Sequence, residues 1–297
     1  MKMDSAPVFL MAEWRHLAML NYEADPKSLT PFVPVGTELD LWEGRNFISV
    51  VGFLFQKTRV LGIPIPFHRD FEEVNLRFYV RRNTPDGWRR GVVFIKELVP
   101  RTGIAWTART FYNEPYLALP MSHQIETAHS RALPPFSPSP PPKEERAGER
   151  RHHGFRLNSP LPSPLPVWVG RGRWGEDAPI EASPKSVAYF WRFNGKQNHL
   201  KLVVRGAAQP LQEGSQQEFI TEHYWGYTAQ RDGSTLEYQV AHPRWRVWEA
   251  ETAELQCDIA GLYGESFCEI LKCPPASAFL AEGSAVKVST GVRLNFK

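Results

Sequence analysis

Residues 74–99 read VNLRFYVRRNTPDGWRRGVVFIKELV, two runs rich in β-branched and aromatic residues on either side of a turn signal. Val74 to Val80 and Val92 to Val99 carry the strand composition, and Asn83-Thr84-Pro85-Asp86-Gly87 supplies the residues that reverse a chain between paired strands. The stretch therefore predicts a β-hairpin.

The same pattern recurs outward in both directions. Phe47 to Phe55 is a further strand run, Val187 to Phe193 and Leu200 to Val204 flank Asn194-Gly195, and Tyr224 to Ala229 and Leu236 to Val240 flank Asp232-Gly233. Asn-Gly and Asp-Gly are the strongest short hairpin signals, because both residue types tolerate the positive φ of a tight turn. Trp245 to Leu255 and Ala285 to Leu294 add strands. Helical signals are few and short. Asp25-Pro26 reads as an N-cap with proline at the first helical position, with Leu29, Phe32 and Val33 on one face until Pro34 and Gly36 end it. Ser215 with Glu218 three residues on is a capping box for a helix through Glu222. Many strands at hairpin spacing with a few short helices predict a mainly β, or β-dominated α+β, barrel or sandwich.

Composition sets the outer bounds. At 297 residues, 42% hydrophobic and 23% charged, the chain has ordinary globular usage. Cys257, Cys268 and Cys273 form neither an even disulfide set nor a C-x-x-C pair, so they read as small apolar thiols in a reducing cytoplasm. Val8 to Ala12 is too short an apolar patch for a secretory segment, and no window reaches the length of a membrane helix. The expectation is a cytoplasmic protein without a membrane or nucleic-acid partner, with a homo-oligomer left open.

Twelve of the 26 prolines fall between Pro134 and Pro184, and the nine Lys or Arg against six Asp or Glu from Arg131 to Lys185 account for the entire net charge of +3. Proline fixes φ and removes a donor, so residues of about 130–184 are expected to form a disordered, polyproline-like insert interrupting a single domain. Its Ser-Pro and Glu-Arg texture resembles a translated genomic repeat. Gly170-Arg171-Gly172-Arg173-Trp174-Gly175 formally matches a dinucleotide fingerprint, but no strand precedes it and no helical period follows. The basic run from Arg146 to Arg156 is interleaved with Glu149 and lacks stacking aromatics, so it reads as a solvated segment rather than a nucleic-acid arm.

Standard catalytic motifs are missing, and no cofactor or metal motif stands out. His68, Asp70 and Glu72 alternate along a strand start, which permits a metal site, yet surface strands produce such trios without one. The stretch Trp106 to Ala118, taken with Trp14-Arg15-His16-Leu17, Glu222-His223-Tyr224-Trp225 and His242-Pro243-Arg244-Trp245, resembles the YqjF-like domain of unknown function 2071. That family is a branch of the acetoacetate decarboxylase-like superfamily. The resemblance covers about 9–123 and 186–294.

The resemblance implies a closed, mainly antiparallel β-barrel with an internal cavity. It places Arg15 at the arginine near the substrate carboxylate, Glu73 at an active-site glutamate, and Arg109 and Pro115 within the stretch that leads to the reactive lysine. At that last position this chain departs, carrying Tyr116 and Leu117 in place of two lysines. A phenol cannot form the iminium ion that Schiff-base decarboxylation needs. Three functional readings follow. Arg15 or Arg109 holds a small carboxylate or carbonyl compound, with Glu73 and Tyr116 as acid/base groups and His242, Trp225 and Trp245 lining the cavity. Alternatively the chain is a non-covalent lyase, hydratase or tautomerase, or an interaction module using its proline-rich segment. The structural alternative has the arginines pairing with Glu73 or Glu114 to tie strands together, and the aromatics simply packing.

Overall fold

The structure is a computed structural model that describes residues 6–64, 69–100, 115–127 and 183–296. Residues 130–182 of the expected proline-rich insert, the glycine fingerprint, Arg109 and His68 lie outside the described residues, whereas Pro184, the last residue of that expectation, is the first residue of a strand.

The predicted hairpins form where the turn residues stand. Strands β1 (Val8–Ala24), β2 (Glu38–Leu39), β3 (Asn46–Val60) and β4 (Ile63–Pro64) precede β5 (Phe71–Thr84) and β6 (Gly87–Val99). β5 and β6 meet antiparallel from Thr84 opposite Gly87 down to Val74 opposite Leu98. Then follow β7 (Tyr116–Ala118), β8 (Met121–Thr127), β9 (Pro184–Phe193) and β10 (Lys196–Pro210). The two-residue turn between β9 and β10 holds Asn194 at φ 49° and Gly195 at φ 75°, the conformation that favours Asn-Gly. β11 (Trp225–Ala229), β12 (Thr235–Ala241), β13 (Arg246–Gln256), β14 (Ser277–Ser289) and β15 (Val292–Leu294) complete the strands.

Helices are short. In α1 (Pro26–Leu29) the Asp25 carboxylate accepts from Lys27 N, and a 3-10 turn over Thr30–Phe32 continues it. In α2 (Gln216–Thr221) Ser215 Oγ accepts from Glu218 N at 3.2 Å, while the Glu218 carboxylate accepts from Gly214 N at 2.7 Å. α3 (Ile259–Tyr263) and α4 (Cys268–Leu271) are additions to the sequence expectation; one to two turns are too short to show helical periodicity.

Pairing runs from β12 to β11, β6, β5, β3, β1 and β14, and β14 returns to β12. Seven strands thus close a ring, antiparallel except between β6 and β11, and closure leaves no free edge within it. β13, β10, β9 and β8 continue outward from β14.

Two strand runs depart from the sequence expectation. β1 spans 17 residues where only an apolar patch was legible, because a bulge interrupts its alternation: the register with β3 shifts between Arg15 and Ala18, and His16 takes φ 54°. The Tyr189 hydroxyl of β9 donates to the His16 carbonyl at 2.8 Å, satisfying the backbone at the bulge. β14 begins at Ser277 rather than Ala285 because Gly283, at φ 78°, breaks the run. A Cβ there would lie 2.0 Å from the Trp14 carbonyl oxygen, so only glycine fits the crossing.

Both faces of the β1–β3–β5 sheet are buried. Ala18, Leu20, Ile48, Val50, Val74, Leu76 and Phe78 pack on one side with Tyr189, Trp191, Leu200 and Leu262. Leu17, Met19, Val51, Phe53, Phe55 and Phe71 pack on the other with Phe219, Trp245 and Phe279.

Candidate functional site

Strand alternation along β5 sends Phe71, Glu73, Asn75, Arg77 and Tyr79 to the second of these sides, opposite Val74, Leu76 and Phe78. Cross-strand partners share a face. Glu73 stands beside Phe53, Asn75 beside Val51 and Arg77 beside Ser49 on β3, while Asn75 stands beside Glu97 on β6 and Glu97 beside Tyr116 on β7. Polar side chains are thereby held in an enclosed space: Glu73 is 2% exposed, Glu97 1% and Arg77 9%.

Most of this polarity is paired within the protein. Asn75 Nδ2 donates to Glu73 Oε1 at 3.0 Å, and the Tyr116 hydroxyl donates to Glu73 Oε2 at 3.4 Å. A second ladder crosses four strands. Ser49 Oγ donates to Asn21 Oδ1 at 2.6 Å, lies 2.6 Å from the Tyr79 hydroxyl, and Asn21 Nδ2 donates to Ser277 Oγ at 3.0 Å. With Ser49 donating to Asn21, the Tyr79 hydroxyl is the donor in its contact.

Arg77 stands between these two ladders and joins neither. Among the described residues no hydrogen bond or ion pair engages its guanidinium, its Nε is buried without an acceptor, and its guanidinium carbon lies over the Tyr79 ring at 5.8 Å. A buried cation lacking an acceptor costs several kcal/mol, roughly the desolvation penalty of an unpaired ion.

Two imidazoles feel this charge. His223 follows α2, and its Nε2 lies 3.1 Å from Asp40 Oδ2, which also accepts from Arg90 Nε at 2.6 Å. Burial, then the positive charges of Arg90 and Arg77, push His223 down to about 4 despite the opposing Asp40. Burial alone would push the Asp40 carboxyl up, but the His223 hydrogen bond and the Arg90 guanidinium outweigh it and hold it below the ordinary range. His242 donates from Nδ1 to the Pro243 carbonyl at 2.9 Å and stacks on Trp245 at 4.1 Å. Burial, with the Arg77 charge adding to it against the Pro243 hydrogen bond, pushes it down to about 4.

The sequence candidates divide accordingly. Glu73 and Tyr116 meet directly, and Trp245 packs in the same core. His242 joins them through Trp245. Arg15 is not brought there: it pairs across the sheet with Leu54, which pairs with Glu72, whereas Glu73 pairs with Phe53 on the opposite face. Its side chain is 33% exposed and bound to Glu13 at 2.9 Å. Trp225 packs with the other core and under the Arg89 guanidinium. Asp70 and Glu72 are described without their partner His68, and among the described residues no group of three or more His, Cys, Asp and Glu could hold a metal ion. No helix among the described residues is long and apolar enough to cross a membrane.

Sequence reasoning passed over Arg77, Glu97, Asp40 and His223. A usable signal existed for the first two: Arg77 is the single charge in the run Val74 to Val80, and Glu97 is the single acid, beside Lys96, in the run Val92 to Val99. Asp40 and His223 are 183 residues apart in sequence and carry no local signal of their pairing.

Comparison with known proteins places this geometry in a family. The model for the family described as an uncharacterized conserved protein, domain of unknown function 2071, matches residues 11–153 and 156–285, which takes in most of the proline-rich segment. The uncharacterized protein YqjF of Bacillus subtilis (strain 168) is 31% identical over 112 residues, 37% of this chain. The matched stretch spans a little under half, 45%, of that curated relative. Among solved structures, the enduracididine biosynthesis enzyme MppR complexed with pyruvate is similar at a TM-score of 0.60 and 12% identity, over 99% of this chain and 92% of that one. Acetoacetate decarboxylase from Legionella pneumophila is similar at 0.54 and 11%, over 99% and 91%. Identities this low speak for the fold, which is the acetoacetate decarboxylase-like one expected from the family resemblance. The chain belongs to the domain of unknown function 2071 family.

Proposed function

We propose that this protein binds a small carboxylate on the polar face of β5, with Arg77 as the anchor. The observation that carries the reading is the buried guanidinium with no acceptor among the described residues. A planar cation with five donors matches a carboxylate bidentately, and a ligand that supplies two oxygens removes the cost of leaving the cation unpaired. Glu73 and Tyr116 stand on the same face as polar or acid/base groups. Binding is non-covalent. Tyr116 and Leu117 occupy the position of the decarboxylase lysines, and Lys96, the lysine of β6, pairs with Leu76 on the opposite face. MppR, which shares the fold, has been solved with pyruvate, and a 2-oxo acid of that size is the class we assign.

Calorimetric titration and thermal shift with pyruvate, and with acetone as the analogue lacking the carboxylate, test the proposal. Pyruvate at one hundred times its dissociation constant stabilises the protein by about 2.7 kcal/mol and acetone does not. Arg77→Met abolishes the pyruvate response and leaves the unliganded protein at least as stable as wild type, since the substitution removes an unpaired buried charge. Retention of pyruvate binding in a folded Arg77→Met protein refutes the assignment.

A further inference from the structure

Asp40 and His223, both buried, form with the part-exposed Arg90 a second polar group that packs against Tyr79 and has no role in the binding just described. Asp40 is attached to β5 itself, because its backbone N–H donates to the Tyr79 carbonyl at 3.0 Å. The imidazole of His223 is fixed on three sides: by Asp40 at Nε2, by the Tyr79 ring at 4.7 Å and by the edge of Phe219 at 5.1 Å. Arg90 is held over Phe219 at 4.7 Å while it binds the same carboxylate oxygen.

The hydrogen positions follow from this arrangement. An ionised Asp40 can only accept, so the single N–H of a neutral His223 sits on Nε2 and the lone pair sits on Nδ1. His223 Nδ1 is buried and, among the described residues, has no hydrogen-bond partner, and the side chain is 1% exposed. An imidazole oriented by a carboxylate at one nitrogen, with the other nitrogen bare, is the arrangement a general base needs. The Tyr79 ring packs against the imidazole at 4.7 Å and lies 5.8 Å from the Arg77 guanidinium carbon, so an acid anchored on Arg77 is held two positions along the strand from the ring that supports the imidazole.

We infer that His223, oriented by Asp40, is the general base that removes a proton from the carbon next to the carbonyl of a 2-oxo acid held by Arg77. The inference rests on the carboxylate reading above. In the step the C–H bond breaks and its electron pair forms the carbon–carbon double bond of an enolate. The carbonyl π pair moves to the carbonyl oxygen, and the proton forms an N–H bond at Nδ1. The resulting imidazolium lies against the Asp40 carboxylate, whose charge balances it. Return of a proton from Nδ1 to carbon restores the acid, so the half-reaction needs no further reagent. Asp40 is a positioning residue, and the charged and titratable groups that face His223 are Asp40, Arg90, Arg77 and Tyr79.

The test is exchange of the methyl protons of pyruvate in D2O, followed by proton NMR, with pyruvate affinity measured separately by calorimetry on the same proteins. The wild-type protein accelerates exchange over buffer. His223→Gln lowers the rate on the order of 100-fold or more with pyruvate affinity changed by less than about 3-fold, since an amide keeps a polar group at Asp40 but offers no base. Asp40→Asn lowers the rate as well and moves the pH profile of exchange, which a merely structural carboxylate does not. The wild-type rate is level through neutral pH and falls as pH drops toward about 4, where the base becomes protonated. Pyruvate bound without accelerated exchange overturns the base assignment and leaves the binding reading intact. No pyruvate binding at all removes both. Exchange that survives in folded His223→Gln but is lost in Glu73→Gln moves the base to Glu73 and also overturns the inference.

Discussion

The two faces of one three-stranded sheet, β1–β3–β5, are both buried, but one is mainly apolar and the other sets a polar row among its apolar side chains. One presents Ala18, Leu20, Ile48, Val50, Val74, Leu76 and Phe78 to β9, β10 and the C-terminal helices. The other presents Asn21, Ser49, Glu73, Asn75 and Arg77, bordered by aromatic rings. Burial of an apolar side chain stabilises a fold by roughly 1.5–3 kcal/mol, whereas a buried polar group at best breaks even when fully hydrogen-bonded. A chain that needed only stability has no reason to fill the second face with charge. The first face adds to stability, and the second stays polar at its expense, a cost that the proposed carboxylate would offset.

Substitutions can break this contrast, the largest effect first. Phe78→Ala on the apolar face costs about 3–5 kcal/mol, read as a lower denaturation midpoint at unchanged slope. A loss under about 1 kcal/mol shows that the first face is not the structural one. Next comes pH. His223 and His242 sit at about 4 in the folded protein against an ordinary 6.5. Unfolded chains therefore bind protons that the folded protein refuses between those values. Their contribution is fully present above about 6.5 and falls away as pH drops toward 4, on the order of 1 kcal/mol per pH unit for each imidazole. Denaturant melts across pH 4 to 7 read this slope, and His223→Gln removes about half of it; a slope unchanged by the substitution shows the ring is not buried neutral.

Arg77→Met gives a smaller change of opposite sign to Phe78→Ala, one residue away on the same strand. Removing the unpaired cation raises the unliganded stability by about 1 kcal/mol or more, and a lowered melting temperature shows that Arg77 is a strut instead of an anchor. The smallest effect belongs to Arg15→Ala. Its ion pair with Glu13 is partly exposed and Glu13 keeps Lys57 at 2.6 Å, so stability changes by less than about 1 kcal/mol. Pyruvate affinity is untouched because Arg15 stands on the far side of the sheet from Glu73. A large affinity loss in Arg15→Ala places the carboxylate elsewhere.

Local chemistry was legible from the residues alone. Asn194-Gly195, the Asp25 cap and the Ser215 box act within four residues of themselves, and each forms where expected. The Glu73 and Tyr116 pair came through the family resemblance, and the structure sets the two side chains in contact. Strands with an interruption were harder. The His16 bulge and Gly283 each reset the alternation, so a period-two reading of β1 or β14 fails at that residue. Arg15 shows the same limit. Its residue type suits a carboxylate, but the bulge that follows it leaves it facing away from β5's polar row.

By itself the sequence determined a mainly β chain with few short helices and its hairpin turns. Those properties depend on residue type and on neighbours a few positions away. Only the tertiary structure decided that the row Glu73, Asn75, Arg77 faces inward. Alternating polar and apolar residues ordinarily mean a strand with one wet side, and nothing local distinguishes that from a strand with a polar lining. The distinction arises when the ring closes through β12 and β14 and when α2 brings His223 to Asp40 across 183 residues. Enclosure is a property of the whole sheet, and it turns ordinary surface chemistry into a buried cation beside an oriented imidazole.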